Sequence, residues 1–130
     1  MVRMLGILFG GAFLFGGVLG FVPGVTSDGM YFGIFMVNTP HNVLHIASGT
    51  IFLTSSTAGA TPARLWFHFF GIFYAAIAVM GFMVDDGMIL NLISNNRNDS
   101  WGHAALAAIM LLIGFTVPKQ TATAEQFGVR

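Results

Sequence analysis

Two pairs of ionisable residues are spaced so that each pair shares one face of a helix. His41 and His45 are four positions apart, and so are Asp99 and His103. Residues at this spacing are neighbours on an α-helix. Imidazole and carboxylate groups bind divalent metals such as Zn²⁺, so all four residues are candidate metal ligands. Histidine is also an axial ligand of tetrapyrrole metals, so His45 and His103 are candidates for binding haem or a chlorophyll-type pigment.

Asparagines surround both pairs and support a second, purely structural interpretation. Asparagine both donates to and accepts from backbone groups, so the cluster could hold loops in place without any cofactor. A zinc-protease helix would carry Glu directly after its first histidine, where this chain has Asn42. No nucleophile has a base at useful spacing, which predicts that the chain is not an enzyme. The asparagines of this structural polar cluster are Asn38, Asn42, Asn96 and Asn98.

The composition predicts an integral membrane protein that contacts the lipid bilayer. Of the 130 residues, 55% are hydrophobic and only 8% are charged, with no net charge. A soluble domain carries about 25% charged residues. Nucleic-acid binding is excluded as a main role because no basic patch is present. The absence of cysteine excludes disulfides and thiolate metal sites.

Four segments are long and apolar enough to span a membrane, namely residues 4–22, 40–57, 65–84 and 100–117. They predict an all-α, integral membrane four-helix bundle over residues 1–118, followed by a polar cytoplasmic tail over 119–130. The first segment is interpreted as a retained span, because no small-x-small cleavage site follows it. Thr39 before Pro40 predicts a capped helix start, and Asn98 or Asp99 is expected to cap the fourth helix.

Charge placement predicts the orientation of the spans. In a four-span chain the two termini and the middle loop face the same side of the membrane. That side carries most of the basic residues, and the opposite side carries only Arg97. The bias predicts a multi-pass protein of the bacterial inner membrane with both termini in the cytoplasm. The basic residues of the inner side are Arg3, Arg64, Lys119 and Arg130.

The chain also contains an internal repeat with an offset of 58 positions. The offset predicts two parallel two-helix repeats, related by an axis along the membrane normal. The outer loops over 31–37 and 88–93 are apolar, and we expect them to lie in the membrane interface or fold back over the bundle. The matched elements are Asp28-Gly29-Met30 with Asp86-Gly87-Met88, Asn38 with Asn96, His41 with Asp99, and His45 with His103.

Glycines in the first and third spans are predicted to allow close helix packing, because they carry no side chain. His68, near the inner end of the third span, is expected to hydrogen-bond a lipid headgroup or a loop. The packing glycines are Gly6, Gly10, Gly16, Gly17, Gly20 and Gly71.

One long motif resembles a known family. The run Val37-Asn38-Thr39-Pro40-His41-Asn42-Val43-Leu44-His45-Ile46-Ala47-Ser48-Gly49 is followed by Ala63-Arg64 and by a second motif with Asn96, Asp99 and His103. This pattern resembles a bacterial four-helix membrane family catalogued as domain-of-unknown-function family 4383. The second motif departs from the family pattern at Ser100 and Ala107, where Asn and Gly are expected. The resemblance covers nearly the whole chain; it implies the fold and a membrane location and no reaction.

These observations predict a small, non-catalytic accessory or structural subunit of a larger membrane complex of the energy-transducing, respiratory or photosynthetic kind. Other membrane subunits would be its partners, and no cofactor is expected. A metal- or tetrapyrrole-binding membrane protein using His45 and His103 is the alternative. A carrier of protons or a small solute is a further alternative, although it would need polar side chains deeper than His45.

Overall fold

The computed structural model describes residues 1–118 and shows a mostly helical chain. Short strands occupy two of the three connections, so the prediction of an all-α chain is correct for the four helices but misses these strands. The predicted tail over 119–130 lies outside the described residues. The elements in chain order are α1 (Val2–Leu19), β1 (Thr26–Ser27), β2 (Met30–Tyr31), β3 (Phe35–Met36), α2 (Thr39–Ala58), α3 (Ala60–Val84), β4 (Gly87–Ile89), β5 (Ile93–Asn95) and α4 (Arg97–Thr116).

Three of the helices, α1, α3 and α4, are long and apolar enough to cross a membrane. Helix α2 has 20 residues but contains more hydroxyl and polar side chains. Several of these hydroxyls bond back to the helix itself; Thr50, for example, donates to the Ile46 carbonyl at 2.9 Å. Such internal bonds reduce the cost of placing a hydroxyl in an apolar environment.

Helix α3 begins five residues earlier than the predicted start at Leu65. It starts at Ala60, and only Gly59 separates it from α2. Pro62 fits the first turn of α3, because the amides of a first turn have no partner within the helix. Arg64 therefore lies inside the helix, although its charge suggested a boundary before Leu65.

Helices α2 and α4 are both capped by asparagine, which corrects the predicted caps Thr39, Asn98 and Asp99. The Asn38 Oδ1 accepts a hydrogen bond from the His41 amide at 3.0 Å, so Thr39 is already the first helical residue. The Asn96 Oδ1 accepts from the Asp99 amide at 2.9 Å. The Asp99 carboxylate in turn accepts a hydrogen bond from the Asn96 amide, and the two bonds together form a capping box.

The α1–α2 and α3–α4 connections form two antiparallel hairpins, β2–β3 and β4–β5, with β1 added to the first. The sequence predicted segments at the interface or folded over the bundle, and it did not predict strands. Pairing satisfies backbone groups that an apolar loop would otherwise leave without partners. The two turns are alike: Phe32 and Gly33 have positive φ values of 51° and 68°, and residues 90 and 91 have 52° and 54°.

Helix α1 packs on α2, and α3 packs on α4, at glycines that leave no room for a side chain. A Cβ on Gly10 would lie 2.9 Å from the Gly49 carbonyl oxygen. Gly16 differs from the prediction, since a Cβ there would meet no atom within 4 Å. It lies on a different side of α1 from its neighbour Gly17, because adjacent helical residues are about 100° apart. The packed glycines are Gly6 beside Ser56, Gly10 beside Leu53, Gly17 beside Ile46, Gly20 beside Asn42, and Gly71 beside Leu111.

Gly10→Ala should destabilise the fold by about 1–3 kcal/mol, because the added methyl forces the backbones of α1 and α2 apart. The neighbouring Gly11→Ala is the matched control, since a Cβ there meets nothing within 4 Å. Unfolding of both variants in detergent micelles measures the difference. Equal stabilities would contradict the close approach of the two helices.

The end opposite the hairpins holds the start of α1, the α2–α3 connection and the end of α4. The Arg3 Nε donates to the Ser56 carbonyl at 2.9 Å, which joins the start of α1 to the end of α2. The His68 ring lies 4.5 Å from the Phe115 ring, which places the start of α3 beside the end of α4. His68 therefore packs on α4, where the sequence suggested a contact with a headgroup or a loop.

Candidate functional site

Asn38 and Asn96 each cap one helix and hold the hairpin that belongs to the other. The Asn38 Nδ2 donates to the Leu92 carbonyl at 2.9 Å, and the Asn96 Nδ2 donates to the Ile34 carbonyl at 2.8 Å. Ile34 and Leu92 are 58 positions apart, as are the two asparagines. The structure thus places both asparagines in the structural role that the sequence offered as one interpretation.

The other two asparagines of the predicted cluster make different contacts. The exposed Asn98 Nδ2 also donates to the Ile34 carbonyl, at 3.1 Å. Asn42 is buried and packs against Gly20, where a Cβ would collide with its side-chain amide. Asn42 therefore serves the contact between α1 and α2 and does not hold a hairpin.

Asp99 is a buried carboxylate that binds backbone amides. Its Oδ2 accepts from the Met36 amide of β3 and from the Asn96 amide, both at 2.9 Å. Only 4% of the residue is exposed. Asp99 therefore connects the first hairpin to the start of α4, and the structure does not place it in the histidine group described next.

His41, His45 and His103 converge between α2 and α4. One possible ligand atom from each lies within 4.8 Å of the others. The His41 ring centre is 5.0 Å from that of His45 and 5.3 Å from that of His103. The His45 Nε2 and the His103 Nδ1 are buried and have no hydrogen-bond partner among the described residues. We call these three residues the histidine triad.

Backbone carbonyls from both hairpins fix the ring of His41. Its Nδ1 lies 3.2 Å from the Met36 oxygen and 3.0 Å from the Ser94 oxygen. Because both partners can only accept, Nδ1 must carry the hydrogen, and the lone pair of a neutral ring then lies on Nε2. Metal-binding histidines commonly donate their second ring N–H to a carbonyl or carboxylate in this way.

A cavity of about 220 Å³ lies beside the triad. Its wall is mainly apolar, and it includes Gly16, which the sequence had assigned to helix packing. The lining residues are Gly16, Tyr31, Phe35, Val37, His41, Asn42, His45, Asp99, Gly102, His103 and Leu106.

Tyr74 of α3 forms the floor beneath the triad, and the sequence did not identify it as part of the site. Its ring centre is 5.5 Å from that of His103 and 6.1 Å from that of His45. Its hydroxyl shares a hydrogen bond of 3.0 Å with the buried Ser48. Tyr74 carries the single polar side chain between His68 and Asp85, and this isolation in an apolar span was the available signal.

A second buried hydrogen-bond group also went unpredicted. Asn95 is fully buried, and its Nδ2 lies 2.9 Å from the Asp85 carbonyl and 3.0 Å from the Ser100 Oγ. These bonds join the end of α3 to β5 and α4. Asn95 directly precedes the capping Asn96, and that position was the only sequence signal for its role.

Comparison with known proteins places the chain in a family. A family model described as a domain of unknown function (DUF4383) matches residues 3–116. The chain belongs to this family. No curated protein and no solved structure matches it. The DUF4383 description states no reaction or ligand, so the function of this member must be argued from its site.

The triad of this DUF4383 protein fits a metal ion after a small contraction. Two nitrogen ligands at about 2.0–2.1 Å from an ion lie at most about 4.2 Å apart. The triad atoms lie within 4.8 Å of one another, so each ring needs to move inward by less than about 1 Å.

A tetrapyrrole fits the same DUF4383 site poorly. A macrocycle held by His45 and His103 would have to pass between rings whose centres are 6.0 Å apart. The His41 ring lies within 5.3 Å of both of these rings and the Tyr74 ring lies within 6.1 Å of both, so other side chains already stand beside that space. The geometry therefore favours a single ion over haem or a chlorophyll-type pigment.

Proposed function

We propose that this chain is a membrane protein that binds one transition-metal ion through His41, His45 and His103. The observation that carries the proposal is the convergence of three imidazoles with two buried, unpartnered ring nitrogens among the described residues. A buried polar atom without a partner costs about 1–3 kcal/mol, so each such atom calls for an explanation. An ion bound to the lone pairs would supply the missing partner.

The donor set indicates which ions to expect. Three imidazoles suit Zn²⁺, Cu²⁺ and Ni²⁺, whereas Mg²⁺ and Ca²⁺ prefer oxygen ligands. Among the described residues, the group of possible ligand atoms within 4.8 Å of one another comes from the three histidines, and Asp99 contributes none to it; its Oδ2 binds two backbone amides. The proposed site therefore has three nitrogen ligands from the protein, and Asp99 is not one of them.

The proposed setting is the bacterial inner membrane, with the hairpins and the triad on the outer side. Three apolar helices support insertion, and the proposal adds α2 as the fourth span. Arg3 and Arg64 lie toward the end opposite the hairpins, which supports cytoplasmic termini. The reciprocal bonds of Asn38 and Asn96 support a bundle of two parallel repeats.

The role of a non-catalytic accessory or structural subunit in a larger energy-transducing complex stays a prediction, as does the absence of enzymatic activity. Co-purification of other membrane subunits in mild detergent tests the predicted role as an accessory subunit.

A proton or solute carrier is less favoured than an ion site. Between Tyr74 and the end of the bundle opposite the hairpins, the core contains buried aromatic rings, formed by Phe52, Phe67 and Phe70.

Metal titration of the purified full chain in detergent micelles tests the proposed function. After removal of metals with a chelator, the wild type should take up one Zn²⁺ or Co²⁺ per chain. A variant with both His45→Gln and His103→Gln should lose this saturable uptake, because only one ring of the triad remains. Equal uptake by the two proteins, or none by either, would overturn the proposal.

A further inference from the structure

The proposed ion has three protein ligands and no fourth among the described residues. Asp99 lines the same cavity, but it contributes no atom to the group within 4.8 Å, and its Oδ2 accepts from the Met36 and Asn96 amides. Tyr74, the hydroxyl beneath the triad, is paired with Ser48. Zinc sites with three protein ligands keep their fourth position for water or an external ligand.

The cavity provides space for such a ligand beside the triad. All three histidines line it, and Gly16 and Gly102 line it without side chains. Its volume of about 220 Å³ corresponds to about seven waters at about 30 Å³ each. A ligand of a few atoms can therefore reach the triad from this side without displacing a helix.

The charge around the cavity favours an anion. Three neutral imidazoles leave a divalent ion with both of its positive charges. Among residues 1–118, Asp99 is the only lining residue with a formal charge, and its Oδ2 accepts from two backbone amides. No lysine or arginine of this described part lines the wall, which is otherwise mostly apolar. Such a wall disfavours a strongly hydrated, multiply charged anion, because its hydration shell would have to be removed.

From these observations we infer that the ion keeps one open coordination position, which takes a small monovalent anion from the cavity. The inference rests on the proposed function, since it requires the ion to be bound. It adds a ligand class, namely anions of a few atoms that bind through one donor atom. It also assigns Gly16 a role in keeping the entrance to the ion open.

Two glycine variants of α1 provide the test. The protein is loaded with Co²⁺, whose visible absorption reports its coordination, and it is then titrated with azide. Gly16 lines the cavity and Gly11 does not, and a Cβ at either position meets no atom of residues 1–118 within 4 Å. Gly16→Leu therefore places a side chain in the cavity, and Gly11→Leu places the same side chain outside it. Both variants should bind Co²⁺ like the wild type. We expect azide to change the Co²⁺ spectra of the wild type and of Gly11→Leu alike. In Gly16→Leu we expect the affinity of the bound Co²⁺ for azide to fall at least about tenfold.

The outcomes separate the two proposals. Absence of a protein-dependent Co²⁺ spectrum in the wild type would overturn the proposed function and the inference together. A normal Co²⁺ spectrum that azide leaves unchanged would overturn only the open position. Equal azide affinities in the two leucine variants would overturn the assignment of the cavity as the route to the ion.

Discussion

Replacement of His103 with glutamine should lower the affinity for Zn²⁺ by at least about 100-fold while the fold stays intact. Loss of a group that merely orients a metal ligand already costs about 10–100-fold, so loss of a ligand should cost more. His103 is 3% exposed and packs between the rings of His41 and Tyr74. Glutamine fills much of the same volume, which limits the packing loss that alanine would cause.

The matched control for this prediction is His68→Gln. His68 also has a buried ring nitrogen without a partner among the described residues, but it lies at the end of the bundle opposite the hairpins. Competition against a chromogenic chelator would measure Zn²⁺ affinity in both variants, and thermal unfolding would confirm that both are folded. If the two variants bind Zn²⁺ within about threefold of each other, the ion does not bind at the triad.

The helices were largely predictable because they depend on local sequence. Long apolar runs predicted four spans, three of which match helices that are long and apolar enough to cross a membrane, and Pro40 marked the start of α2 to within one residue. The cap itself was misassigned because Asn38 and Thr39 are both good capping residues. Only the extended backbone of Asn38, with φ at −141°, decides between them.

The hairpins were less predictable because their turn chemistry is unusual. Phe32 and Leu90 adopt positive φ values, which bulky side chains rarely do, and neither residue signals a turn. Gly33 and Asn91 were local hints of these turns, and Asp28-Gly29 was a hint of the turn between β1 and β2, since Gly, Asn and Asp tolerate positive φ. The strands instead depend on contacts distant in sequence, such as the bond from Asn96 to the Ile34 carbonyl.

The triad was partly predictable, because the spacing of the histidines is local but the contacts of Asp99 are distant in sequence. Helical spacing brings His41 and His45 together, and the 58-residue offset suggested that His103 faces them. Spacing could not exclude Asp99, which occupies the position equivalent to His41. Its carboxylate is engaged by the Met36 amide, 63 positions away, and no local pattern contains that contact.

Replacement of Asp99 with alanine should destabilise the protein by about 2–5 kcal/mol, because it leaves two amides without their acceptor. Each buried backbone donor that loses its partner costs about 1–3 kcal/mol. Asp86→Ala is the matched control at the same end of the bundle, since its exposed carboxylate accepts one long bond of 3.3 Å from the Arg97 amide. Hydrogen exchange at Met36 should accelerate in Asp99→Ala and not in Asp86→Ala. Equal unfolding free energies for the two alanine variants would contradict this structural role.

Asp99→Asn separates the structural role of Asp99 from a role as a metal ligand. The amide oxygen of asparagine can still accept from the Met36 and Asn96 amides, so the first hairpin should stay attached to α4. The triad itself is unchanged, and the Zn²⁺ affinity should therefore stay within about tenfold of the wild type. A loss of about 100-fold or more in a folded Asp99→Asn protein would instead make the carboxylate a fourth ligand. The coordination position facing the cavity would then be closed, because Asp99 would occupy it.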